Sequence, residues 1–200
     1  TQIALYLNLS QKSIDLAPMA GYLAQIGLLA MDPDLYKKPV NELTEQQRKN
    51  FYTHPSTAQL MLMPATHLHE VSEAIYHQYE YYNGNGIPKG IKGNEIPLSA
   101  MILAVARDYW NAYENNNLAL DKRHQHAIDV ITRYSGNFYH PKIVRALEAS
   151  HAKLHEQKSS AGSVLICNAH ELKEQMVLGH ALHSHTGIML LPKGHVFGSK

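Results

Sequence analysis

Residues 83–97 restrict the fold more than any other stretch of this chain. The segment Asn83-Gly84-Asn85-Gly86-Ile87-Pro88-Lys89-Gly90-Ile91-Lys92-Gly93-Asn94-Glu95-Ile96-Pro97 holds four glycines and two prolines in fifteen residues. Glycine loses the most backbone freedom in regular structure and proline lacks the amide donor, so neither helix nor strand runs through it. The sequence on either side must form separate elements that meet across a long loop. Downstream, Leu98, Met101, Ile102, Val105, Ala106 and Tyr109 recur at intervals of three and four, which predicts a helix over 98–114. Upstream, a helix is expected over about 67–81 and another after Pro55, where proline suits a first turn.

Nearer the start, Ser13 or Asp15 is expected to cap a helix carrying Leu16, Met19, Leu23, Ile26 and Leu29. Pro33 and Pro39 bracket a short connection, and Asn41 or Thr44 caps a polar helix with Glu45, Gln46, Arg48 and Lys49. Ile3, Leu5, Leu7 and Leu9 read as the end of a helix, and the chain starts at Thr1 inside that pattern, so a fragment of a longer protein is expected. Amphipathic helices are predicted over 122–133 and 140–157, with His151 and His155 on the outer face of the second. Character changes near Gly162. Ser159-Ser160-Ala161-Gly162 reads as a linker, Ser163–Cys167 and Ile188–Leu191 as β-rich stretches, His170–Gln175 as a short helix and Pro192-Lys193-Gly194 as a turn. The expected fold class is mainly α: a helical bundle over 1–158, then a small β-rich C-terminal module over 163–200, too small to hold a core alone.

Formal charges nearly cancel at +1, which gives no electrostatic reason to expect nucleic acid or an anionic membrane as partner. Cys167 is the single cysteine, so no intrachain disulfide forms, and a reducing, cytoplasmic compartment is the simple reading. Neither a signal peptide nor an apolar run of roughly 18 residues able to span a bilayer is expected. The 14 histidines invite a metal reading. On one helix, His69 and His77 would lie about 12 Å apart along the axis, too far for one ion. His180, His183 and His185 form a tract without carboxylate or cysteine partners. His124 and His126 cannot share a helix face, Cys167 has no organised base nearby and reads as a buried structural residue, and no GxSxG nucleophile motif occurs.

The loop and its flanks, however, follow an order that composition does not explain. Gln78-Tyr79-Glu80, Tyr81-Tyr82, Asn83-Gly84-Asn85-Gly86-Ile87-Pro88 and Lys89-Gly90-Ile91-Lys92-Gly93-Asn94-Glu95-Ile96-Pro97-Leu98 resemble the HD-GYP family of bacterial signalling phosphodiesterases, whose run reads HHE, two residues, DGxGYP, xGLxGxxIPL. The family's LHDIGK matches Leu23-Ala24-Gln25-Ile26-Gly27-Leu28. Lys38-Pro39, Leu43-Thr44-Glu45 and His54-Pro55 match the next segment, and Ala100–Arg107 matches its ARILAVAD. The resemblance covers about residues 1–150 and implies an HD-domain-like helical bundle, bound iron or manganese, and cyclic di-GMP as substrate.

The resemblance also implies where ligands should stand. The His-Asp pair falls at Ala24 and Gln25, and the phosphate-touching lysine at Leu28. The two adjacent histidines fall at Gln78 and Tyr79, and the helix-ending aspartate at Arg107. The aspartate and tyrosine of the loop fall at Asn83 and Ile87. Only His54 and Glu80 keep ligand-type side chains. A methyl group, amides and a guanidinium do not bind a cation as imidazoles and carboxylates do. The expectation is therefore a degenerate domain without metal, cofactor or catalytic residues, acting as a response-regulator-type signalling module. Its candidate contact loop is Asn83, Gly84, Asn85, Gly86, Ile87, Pro88 and Lys89. Expected partners are other signalling proteins, with diguanylate cyclase domains among them, or an upstream receiver domain; self-association is left open. Two alternatives stand beside it. One is a phosphodiesterase with an altered site using His54, Glu80 and a shifted His77. The other is a cyclic-dinucleotide sensor that binds without hydrolysis through Arg107, Lys89, Lys92 and the tyrosines. The tail, Val164–Leu178 with Thr186–Gly194, resembles a small module found after HD-GYP-like domains, with Gln175 where that pattern has glycine.

Overall fold

The computed structural model describes residues 1–160, 172–184, 189–192 and 194–198, with the backbone alone described over 153–160. By internal packing the chain divides into Thr1–Ala152 and Lys153–Lys200. The expected helix at 98–114 is Leu98–Glu114 (α6), and it is the element the first unit is built around. Against it pack Gln2–Tyr6 (α1), Gln11–Leu23 (α2), His69–Tyr76 (α5), Leu120–Arg133 (α7) and Pro141–Ser160 (α8). Glu45–Phe51 (α3) and His54–Leu62 (α4) complete the bundle.

Helix α6 is apolar on two sides and so serves two cores. Ile102, Val105 and Tyr109 pack with Ile3 of α1, Ile128 and Ile131 of α7, and Ile143, Val144 and Leu147 of α8. Leu103 faces Ala20 of α2, Ala24, Ala58 and Leu62 of α4, and Val71, Ala74 and Ile75 of α5. The second core is rich in alanine, which brings the helices close together and lets buried backbone carbonyls be reached by neighbouring side chains.

Several local expectations shift. Ser10, not Ser13 or Asp15, caps α2: its hydroxyl accepts the Ser13 amide at 3.3 Å. The helix stops at Leu23, and Ile26–Ala30 forms a separate 3-10 turn. The cause is Gly27, whose missing side chain lets the turn lie directly on the backbone of His54 and Ala58; a Cβ there would overlap the His54 carbonyl. Thr44 caps α3 in a reciprocal box with Gln47. The expected helix over 67–81 ends at Tyr76, because the backbone beyond it is held by other partners described below. His151 is half-buried, with its ring 5.6 Å from that of His124, and is not on an outer face; the side chain of His155 lies outside the described residues. The expectation of no membrane-length apolar stretch also needs correction. Gln11–Ala30 passes by length and composition, with a mean hydropathy of 1.2, although the fold breaks it between Leu23 and Ile26.

In the second unit, Leu182–His183 (β1) and Met189–Leu191 (β2) pair antiparallel, Leu182 opposite Leu191. Val177 bridges Val196, flanked by bonds from the Gln175 amide to Phe197 and from the Phe197 amide to Met176. Gln175 has φ +67, the left-handed region where the resembled pattern has its glycine. Residues 172–175 are not helical. The expected strand Ser163–Cys167, the start of the expected helix at His170, Cys167 and His185 all lie outside the described residues. His180 and His183 are exposed.

Candidate functional site

The positions singled out in the sequence come together where α5 ends against α4 and α6. His54 opens α4 and is 1% exposed, covered by the Gly27 turn. Its Nδ1 lies 2.8 Å from the Phe51 carbonyl, so Nδ1 carries the proton and Nε2 is left as an acceptor. The ring meets Tyr79 edge-on at 5.6 Å. Burial lowers the pKa of His54, and the Arg107 charge adds to that, against the opposing pull of the Phe51 bond.

After Tyr76 the chain leaves the helix, and each following residue is used differently. Gln78 is fully buried and donates from Nε2 to the Ala24 carbonyl at 3.1 Å. Arg107 reaches across from α6 and donates from Nη1 to the Gln78 carbonyl at 2.5 Å. The same guanidinium donates from Nε and Nη2 to both oxygens of Asp108 at 2.8 Å, and its carbon stands 3.9 Å from the centre of the Tyr79 ring. Asp108 also accepts the Tyr139 hydroxyl at 2.9 Å. Burial works against the Arg107 charge, yet the neighbouring carboxylate prevails and its pKa is raised. Burial pushes Tyr79 up to about 12 and raises Tyr139 further, so both phenols stay protonated. A complete ionic and aromatic network thus stands among the positions where the family resemblance puts metal ligands.

Glu80 serves the loop. Its Oε1 accepts the Lys89 amide at 2.7 Å, and its side chain is wholly buried. His77 Nδ1 is 3.6 Å from the same oxygen, and His77 Nε2 is 3.6 Å from Glu73. The loop is further tied by the amide of Ile87 to Tyr79, of Gly93 to Tyr82, of Tyr82 to Phe138 and of Asn83 to Asn137, all at 2.9–3.0 Å. Asn83 donates from Nδ2 to Asn137 Oδ1 at 2.5 Å and accepts the Asn85 amide at 2.9 Å, a pairing that needs an amide and that a carboxylate could not make in full. Tyr81 stacks on Phe138 at 4.3 Å, and Phe138 on Tyr134 at 4.7 Å. Gly86 passes so close to Tyr79, Glu80 and Tyr81 that a Cβ would lie inside their backbone. Ile87, Pro88 and Lys89 are exposed, and the Lys89 ammonium sits 5.3 Å above the Tyr76 ring.

His54, Gln78, Tyr79, Arg107 and the Ala24 carbonyl are therefore gathered in one interior. Gln25 is exposed. Asp108 and Tyr139 belong to the same network; nothing in the sequence marks Tyr139, while Asp108, one residue and about 100° around the helix from Arg107, reads there only as a poor replacement for the lost aspartate. Among the described residues, His54 Nε2, His77 Nδ1, Gln78 Oε1 and Glu80 Oε2 are buried without a hydrogen-bond partner. Among the described residues no three His, Cys, Asp or Glu side chains converge to hold an ion. A methyl, two amides, a phenol and a guanidinium at the ligand positions do not fit a multinuclear metal centre.

A helical bundle with this interior and this loop has the architecture of an HD domain. Residues 1–143 match the HD domain family, and the chain belongs to it. It is 29% identical over 160 residues to the cyclic di-GMP phosphodiesterase response regulator RpfG of Xanthomonas campestris, covering 77% of this chain and 41% of that protein. It is 27% identical over 146 residues to a probable cyclic di-GMP phosphodiesterase of Vibrio cholerae, covering 69% and 33%. The fold is shared with a cyclic GMP-AMP specific phosphodiesterase of Vibrio cholerae at a TM-score of 0.60 and 18% identity, over 81% of this chain and 44% of that one. The chain thus spans less than half the length of these relatives, and its homology to HD-GYP phosphodiesterases agrees with the motif resemblance.

Proposed function

We propose that this chain is a bacterial, cytoplasmic signalling module of the HD-GYP type that does not hydrolyse cyclic dinucleotides and acts through protein contacts at the loop Asn83–Lys89. One observation carries the reading: the Arg107 guanidinium is built into the interior by three hydrogen bonds and a ring contact. A fixed cation there opposes binding of metal cations beside it. The loop, by contrast, is fully framed and presents Ile87, Pro88 and Lys89 outward. The partner would be another signalling protein, such as a diguanylate cyclase domain, or a receiver domain belonging to the same regulator.

Two measurements test this. Protein purified without oxygen should contain no stoichiometric iron or manganese and should leave cyclic di-GMP intact; bound metal with turnover would overturn the proposal. Alanine substitutions across Asn83–Lys89 should abolish signalling output without lowering expression, and unchanged output would remove the loop from the mechanism.

A further inference from the structure

Between α3 and the loop lies a pit of about 500 Å³. Tyr52, Tyr79 and Tyr81 line it, with Ile87 and the backbone of Gly86 on the loop side and Arg48 and Lys49 on the α3 side. Tyr52 and Tyr79 meet edge-on at 4.9 Å. All three tyrosines are half-buried, so part of each side chain faces the pit. Burial raises the pKa of both Tyr79 and Tyr81, which keeps them protonated at neutral pH. The acid at the pit, Glu45, is paired with Lys49 at 2.7 Å, and this leaves Arg48 as positive charge in the lining that no acid of the pit offsets.

The chemistry of the loop separates two kinds of occupant. A phosphate-bearing ligand calls for free backbone amides that form a nest. Here the amides of Gly84, Asn85, Ile87, Lys89 and Gly93 are already donated to Tyr81, Asn83, Tyr79, Glu80 and Tyr82. What the pit offers instead is three half-buried tyrosines beside exposed Arg48, Asn85 and Ile87, and tyrosine and arginine are the side chains that most often anchor protein interfaces. We propose that the pit docks an acidic protein segment, which inserts one aromatic or aliphatic side chain among Tyr52, Tyr79 and Tyr81 while its carboxylates meet Arg48 and the tyrosine hydroxyls. This rests on the reading of the loop face as a protein contact surface, and it adds the anchor and the charge of the partner.

The test uses the full chain and a short random-peptide display library. Selected sequences should place Asp or Glu around a single Phe, Tyr, Trp or Leu. A synthetic peptide of that consensus, followed by fluorescence polarisation, should bind the Arg48→Glu variant about tenfold more weakly, and more weakly still at raised salt. Tyr52→Ala should weaken binding as well, with thermal melting used to confirm that each variant folds. Arg48 is exposed but donates from Nη2 to the Leu43 carbonyl at 3.3 Å, so Arg48→Gln, which loses that bond too without reversing the charge, is the control and should weaken binding less than Arg48→Glu. A consensus without acids, no selected peptide, binding indifferent to Arg48→Glu, or inorganic phosphate or GMP shifting the tyrosine ring resonances of the pit would overturn the proposal. If loop variants abolish signalling output while Arg48→Glu does not, the contact surface stands and the acidic occupant falls. If neither alters output, both fall.

Discussion

The interior around Arg107 and the loop over 83–97 touch at Tyr79 and Glu80, yet different physics holds each of them. The interior is assembled from side chains: Gln78 on Ala24, Arg107 on Asp108 and Tyr79, Tyr139 on Asp108. The loop is assembled from backbone: a run of amide bonds, one buried carboxylate and a glycine that no other residue can replace. A side-chain site can exchange one chemistry for another position by position, provided each new buried group finds a partner. A backbone site tolerates changes at Asn83 and Ile87 but not in its glycine path. That contrast explains how one HD-domain chain can carry an arginine where a metal ligand is expected and still present a family-like loop.

Substitutions can break or sharpen this contrast. The largest effect is expected at Arg107. Arg107→Met leaves Asp108 without its ion-pair partner and the Gln78 carbonyl without a donor, and should lower stability by about 3 kcal/mol in urea denaturation. Arg107→Lys should recover only part of that, because an ammonium cannot reproduce the two-pronged bond to Asp108. If Arg107→Met is neutral, the interior does not depend on its side chains and the contrast fails.

Next comes Gly86→Ala, expected to cost about 2 kcal/mol through displacement of the loop. Proton exchange at the Lys89 and Ile87 amides should rise, while the Tyr139 region stays protected. Glu80→Ala follows, at about 1–2 kcal/mol, by removing the buried acceptor of the Lys89 amide. Glu80→Gln keeps an oxygen and should cost less.

The smallest effect concerns His54. Its folded-state pKa lies below the ordinary histidine value of 6.5, so the unfolded chain binds the proton more readily. Its contribution to stability is complete above pH 6.5 and is lost as pH falls through the lower, folded value. Melting temperature measured from pH 7.5 downward should therefore drop less steeply in His54→Gln than in the parent, with both compared over the same steps.

Much of this was legible before any coordinates. The three-and-four spacing from Leu98 to Tyr109 set α6 to the residue, because a long apolar stripe dominates local choices. The order of glycines and prolines after Glu80 led to the HD-domain family. What stayed hidden depended on long-range contacts. The end of α5 at Tyr76 follows from Arg107 taking a carbonyl that a longer helix would use, and α2 ends early because Gly27 packs on His54. Reading Arg107 only as a side chain that does not bind a cation was incomplete. It did not foresee that Asp108, next in the chain, folds back to accept the same guanidinium. Glu80, noted in the sequence for its ligand-type side chain, also fastens the loop through the Lys89 amide. In both cases residue type was informative, while the partner was set by three-dimensional neighbours.

The guanidinium of Arg107 has one more consequence. A metal centre has to be loaded after synthesis, competes with cellular chelators and, where iron is used, responds to oxygen. Here the positive charge at that place is covalently part of the polypeptide and keeps its proton across the physiological range. The network around it is therefore complete as soon as the segments that carry Gln78, Tyr79, Arg107, Asp108 and Tyr139 meet, because every member belongs to the chain itself.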